Sequence, residues 1–240
     1  MKKNFLLLLL ILLAMTLSAC HPNLVTPTGN LIPDDFSLPA MDPEVKESLR
    51  IYPLLEGSTW VYDYLGFDQS QEVIWRVVET VIETEVIGNV YVATLERTAE
   101  LMDGVPHGNL LIEPETGVFR YVIDGENIYR IDGSDDIDLS RAWLELVLPF
   151  PGEDEGWYPD PELRSINREG EMGLRQASAP YQEVLPQGGV FTCYNVKTVH
   201  PDVMVDEGTF CETVGFVYQE FIYFDFSFGF RSELERFTIQ

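Results

Sequence analysis

From Ile51 onward the chain alternates apolar and polar positions with a period of two, the spacing of half-buried strands. Thr59-Trp60-Val61-Tyr62-Asp63-Tyr64 opens the series with aromatic and β-branched residues, which suit a pleated surface. Between Glu72 and Ile82, Val73, Trp75, Val77 and Val81 share one parity, with Ile74, Arg76, Val78 and Thr80 on the other. Gly88-Asn89 is a two-residue hairpin signal, and Asp124-Gly125 separates two further runs, 118–123 and 127–131. More strand pattern covers 190–199, 209–214, 215–226 and 228–239. In the last of these Phe228, Phe230 and Leu234 oppose Arg231, Glu233 and Glu235. Roughly ten to twelve strands with short connections predict a mainly β fold, a large antiparallel meander. Its edges require either a strongly curved sheet or a partly closed β-barrel.

Three stretches depart from that period. Asp42-Pro43-Glu44 reads as a helix start, with a capping Asp and Pro at the first helical position, running to about Arg50. Ser140 to Leu148 is either a short helix or a buried strand, because periodicity does not arbitrate at that length. One or two short helices are therefore expected. The Pro/Gly cluster at 149–161 is the only candidate internal boundary. Residues 52–60 and 148–157 each read as Pro, an acidic loop, then Gly near Trp, a weak two-fold repetition.

The N-terminus carries an address. Lys2 and Lys3 precede 13 nearly uninterrupted apolar residues, 5–17. A membrane span needs about 20 apolar residues and a signal h-region roughly 7–15, so this is an export signal. Leu17-Ser18-Ala19-Cys20 resembles the lipobox of bacterial lipoproteins. The resemblance implies cleavage between Ala19 and Cys20, diacylglyceryl on the Cys20 sulfur and an acylated new amino group. Several acyl chains such as palmitate give stable anchoring where one would be marginal. His21, rather than Asp, follows Cys20, which the same resemblance reads as outer membrane in a two-membrane cell and cell surface otherwise. Residues 20–42 hold four prolines and read as a tether, leaving 43–240 as a single all-β ectodomain.

A second resemblance lies in the ectodomain. Its Y-P-L-x-x-G-x-x-W-x-Y opening (Tyr52 to Tyr62) looks like that of a group of uncharacterised bacterial lipoproteins. That group continues with a mid-chain Pro/Gly/Trp segment and a Gly-x-Phe-x-x-Tyr-x-Val strand, here Gly189 to Val196. Its closing G-V-G-x-V-like hairpin corresponds to Thr213-Val214-Gly215-Phe216-Val217, where the first glycine is replaced by Thr213. The resemblance implies a lipid-anchored all-β protein and brings no catalytic residues.

Charge narrows the partners. The 240 residues carry 40 acids against 15 bases, a formal −25 that becomes −27 once Lys2 and Lys3 leave with the signal. Nucleic-acid binding needs a basic face, and docking on anionic lipid needs the same, so neither fits. Membrane attachment is left to the lipid on Cys20. The 45% apolar and 12% aromatic content suffices for a packed core, which excludes wholesale disorder.

Candidate chemistry is sparse. Apart from Cys20, the cysteines are Cys193 and Cys211, in an exported setting where disulfides persist. A hairpin centred on Asp202 would place them opposite one another; a turn at Asp206-Glu207-Gly208 would leave two buried thiols. His21, His107 and His200 have no metal-ligand spacing, and Asp132 to Asp138 lacks the glycine and terminal Glu of a calcium loop. No cofactor motif and no nucleophile motif is present. Glu153, Asp154, Glu155 and Asp160 beside Trp157 and Tyr158 form the most site-like cluster, since sugars stack on aromatics, in a context that suits an exposed connector. The aromatic run from Phe216 to Phe230 either lines an apolar cavity or packs a central strand pair. Trp60, Trp75, Tyr218 and Phe224 are the candidate ligand-lining residues. The expected function is a non-enzymatic envelope lipoprotein binding an apolar ligand or an envelope protein on a curved sheet. A tethered glycan hydrolase and a structural or assembly component are the alternatives.

Overall fold

The computed structural model describes residues 41–106, 111–133, 137–152, 155–162, 173–198, 203–223 and 228–240. Ala19 and Cys20, nearly all of the tether, Glu153 and Asp154, the three histidines, Asp202 and Phe224 lie outside the described residues.

Helix α1 (Pro43–Ile51) forms where the sequence predicts it. The Asp42 carboxylate accepts from the Glu44 amide at 2.9 Å, satisfying one donor that the first helical turn leaves open. Glu44 in the first turn and Arg50 in the last complement the helix dipole. Val45, Ser48, Leu49 and Ile51 form its buried face. Ser48 donates to the Gly125 carbonyl and the Thr213 amide donates to the Ile51 carbonyl, so the helix is tied to two hairpin turns at one end of the sheet.

The first half of the sheet contains β1 (Thr59–Asp68), β2 (Glu72–Ile87), β3 (Val90–Asp103), β4 (Gly117–Asp124), β5 (Asn127–Asp132) and β6 (Trp143–Val147). The second contains β7 (Gly156–Trp157), β8 (Arg175–Ala177), β9 (Tyr181–Val184), β10 (Val190–Thr198), β11 (Val203–Cys211), β12 (Gly215–Tyr223) and β13 (Phe228–Thr238). They make one antiparallel sheet in the order β6-β5-β4-β3-β2-β1-β13-β12-β11-β10-β8-β7, with β9 added to β10. The mainly β, curved and nearly closed architecture thus matches the expectation. Among the described residues there are thirteen strands, one more than the upper expectation, because short β7, β8 and β9 carry little alternating signal.

Two meanders meet where the first strand pairs with the last. Tyr62 faces Leu234 across β1 and β13, with a bulge after Val61. Within the segment 140–148, Trp143–Val147 is a strand: β6 pairs with β5, and Leu144 and Leu146 turn into the core. The second hairpin turns at Gly125-Glu126, since Asp124 still pairs with Asn127, and Gly125 supplies the required φ of +59°.

The two ends of the sheet approach each other. The Leu144 amide of β6 donates to the Pro159 carbonyl beyond β7 at 3.0 Å. Arg175 of β8 reaches both the carbonyl and the carboxylate of Glu145 on β6, at 3.2 and 3.3 Å. Cys193 and Cys211 face one another on β10 and β11 and are joined as a disulfide. The core fills the end nearest α1, where Tyr52 meets the rings of Trp60, Tyr121 and Phe210 edge-on. Trp60 is fully buried and donates its indole N–H to the Val214 carbonyl, and Tyr91 donates to Leu54. The polar tips of Trp60 and Tyr91 are thereby satisfied.

Candidate functional site

Above that plug the rolled sheet encloses a cavity of about 410 Å³, within the range of small-molecule sites. Tyr52 from the chain after α1 lies at its base. The walls come from β1 to β6, β8, β10, β12 and β13, while residues 112–115 and 206–208 stand at the mouth.

Charge enters the interior along the inward rows of these strands. Glu79 continues the parity of Val73, Trp75 and Val77 on β2, and Arg97 continues that of Tyr91, Ala93 and Leu95 on β3. Register places the two directly opposite each other, with Trp60 on the other side of Glu79. The Arg97 Nε donates to the Glu79 carboxylate at 2.7 Å, and the Glu79 side chain is only 9% exposed. Burial alone would lower the Arg97 guanidinium, but the adjacent Glu79 carboxylate more than offsets this and holds it above its ordinary value.

Two more arginines share the cavity. Arg130 and Arg97 both lie against the ring of Phe119, 4.4 and 5.2 Å from its centroid, and Arg130 is ion-paired to Glu115. Arg175 donates to the Thr198 hydroxyl at 2.9 Å and to Glu145 across the seam between the sheet ends. Each interior guanidinium therefore has a carboxylate.

Four tyrosines complete the lining. Tyr62 donates to the Phe216 carbonyl at 3.1 Å and Tyr64 to the Ile112 carbonyl at 3.2 Å. The Tyr52 and Tyr121 side chains are buried and face the cavity, yet neither hydroxyl makes a hydrogen bond to a described residue. Burial, and then the nearby Tyr121 ring, raises Tyr52 well above an ordinary phenol. Burial, and then Glu145 and Glu79, raises Tyr121 likewise. Both are neutral phenols that can donate or accept. Tyr64 stacks on Phe230 at 5.1 Å, and Phe230 on Phe221 at 5.9 Å, giving one wall an aromatic character.

Of the candidate lining residues, Trp60 lies in the plug and Trp75 packs edge-on against Tyr64 behind the wall. Tyr218 is partly buried beside Glu220 and Arg231; Glu220 lines the cavity, whereas Tyr218 and Arg231 do not. Within the aromatic run, Phe216 and Phe230 line the cavity, whose walls carry charge as well as apolar surface, while Phe221 stacks on Phe230. Trp157 is buried and stacks on Phe150, so it offers no open face to a sugar. Among the described residues no group of three metal-ligating side chains occurs, and no helix is long and apolar enough to cross a membrane. The residues that sequence reasoning missed, Glu79, Arg97 and Arg130, share one signal. Each is a charge placed two positions beyond an apolar residue on an inward parity.

Comparison with known proteins adds little. No family model matches the chain, and no curated protein matches it. A Bacteroides fragilis protein described as exported and as having a YmcC-like fold is similar in structure, with a TM-score of 0.43 and 13% identity. The match covers 77% of this chain and 96% of that one. A Parabacteroides distasonis protein described as a lipoprotein gives a TM-score of 0.42 and 13% identity over 78% of this chain and 98% of that one. Neither match is close enough to carry a function across.

Proposed function

We propose that the chain is a lipid-anchored protein of the bacterial cell envelope, without catalytic activity, whose rolled sheet holds a small ligand. The anchor rests on Leu17-Ser18-Ala19-Cys20 and the apolar run before it. Ligand binding rests on one observation: a cavity of about 410 Å³ whose base carries two tyrosine hydroxyls that make no hydrogen bond to a described residue. Both hydroxyls are therefore open to the hydrogen-bonding groups of an occupant. The interior carboxylates Glu79 and Glu145 are both engaged by arginine, which supports a binding role over acid–base work. The charged interior also shifts the expected ligand from a purely apolar one to one with polar groups.

Native mass spectrometry of the chain expressed with its own signal in a bacterial envelope tests both halves. The account expects an acylated chain beginning at Cys20, carrying a non-covalent small molecule that leaves on collisional activation. Replacement Cys20→Ala should release the protein from membranes. An unacylated chain would remove the anchor, and protein that never retains a small molecule would remove the binding role.

A further inference from the structure

We infer that the cavity is built for a neutral polyhydroxylated ring, a saccharide unit; the inference rests on the ligand-binding reading above. Charge balance is the first argument. Arg97 is spent on Glu79, Arg175 on Glu145 and Arg130 on Glu115, so no lining guanidinium is left to bind an anionic ligand. Exposed Glu113 and Glu207 at the mouth would further repel an anion.

Hydrogen-bond chemistry is the second. Tyr52 and Tyr121 present phenols that both donate and accept, beside carboxylates that only accept and guanidiniums that only donate. A methylene chain would desolvate all of these and satisfy none. A ligand hydroxyl both donates and accepts, so a ring bearing several can match the mixture.

The third argument is an aromatic surface in the right place. Trp143, opposite Arg130 on the neighbouring strand, lines the cavity and is 36% exposed. No ring of a described residue stacks on its indole, whereas Trp60, Trp75 and Trp157 are at most 6% exposed. Trp143 thus offers an open apolar face at the rim for the C–H face of a sugar, with the polar interior beneath it.

The same distribution supplies the assay, because Trp143 is the accessible fluorophore and acrylamide, a neutral quencher, is not repelled by the acidic surface. The probes are glucose, galactose, mannose and N-acetylglucosamine with their homodisaccharides, and dodecanoate as the contrasting amphiphile. At least one saccharide should protect Trp143 from acrylamide and give saturation-transfer signals from its ring protons. Tyr121→Phe should weaken that binding about three- to tenfold, as loss of one neutral hydrogen bond does. Trp143→Ala should abolish it by saturation transfer, and Trp143→Tyr should restore most of it. Binding by monosaccharides identifies a free sugar, and binding by disaccharides alone identifies the end of a glycan chain. If dodecanoate binds and no saccharide does, the saccharide assignment is overturned while the cavity reading stands. If no probe binds and native mass spectrometry finds no ligand, both are overturned.

Discussion

Replacing Glu79 with glutamine strands Arg97 inside the barrel. Removing one partner of a fully buried pair costs about 3–5 kcal/mol, because the remaining charge keeps its desolvation penalty without its counter-ion. Here the Arg97 side chain retains 21% exposure and lies over Phe119, so water and the ring offset part of that cost. The expected loss for Glu79→Gln is therefore about 2–3 kcal/mol. Arg97→Met leaves the Glu79 carboxylate, 9% exposed, in the same position and should cost at least as much. The double variant Glu79→Leu/Arg97→Met removes both charges and fills the wall with apolar atoms. It should lie within about 1 kcal/mol of the parent, as isosteric apolar replacement of buried pairs usually does. Urea unfolding with the disulfide intact measures all three, provided the denaturant dependence is unchanged. Single losses below about 1 kcal/mol, or a double loss equal to their sum, would refute the buried-pair argument.

Four further outcomes are expected. Cys193→Ala/Cys211→Ala opens a crosslink spanning 18 residues and should cost about 3 kcal/mol in urea unfolding. Gly215→Ala at φ +105° sets its Cβ 2.5 Å from the Tyr52 ring and should cost more than about 2 kcal/mol, whereas Gly188→Ala at φ +84°, with open space around it, should cost about 1. Hydrogen bonds from Gln71 and Ser70 hold the Asp68 carboxyl down to about 2. A depressed carboxylate contributes stability above its unfolded value near 4 and loses it as pH falls through about 2, so a carboxyl NMR titration should give a midpoint near 2. Burial raises Tyr52, Tyr62 and Tyr121, so ultraviolet titration should find them silent until the chain unfolds above about pH 10; early ionisation would place them in solvent.

Local chemistry made parts of this fold readable in advance. Asp42-Pro43 announces α1, Gly88-Asn89 announces the β2–β3 hairpin, and Cys193 with Cys211 announces the pairing of β10 with β11. Each signal acts within a few residues or across one turn. The seam between β6 and β8 depends instead on Arg175 meeting Glu145, a contact set by the roll of the whole sheet. No local pattern encodes it. The cavity failed to appear for a related reason. Aromatic count pointed to Trp60 and Trp75, which the plug and the wall absorb, while the site is defined by charges on inward parities. Glu79 and Arg97 become meaningful only when register sets them side by side between Trp60 and the cavity.

The central claim is that the cavity over Tyr52 and Tyr121 is occupied in the envelope. A crystal structure of protein purified from envelope membranes tests it most directly. The account predicts density for a small molecule hydrogen-bonded to both tyrosine hydroxyls and reaching Trp143. A cavity collapsed onto the two hydroxyls, or filled by protein side chains that satisfy them, would contradict it.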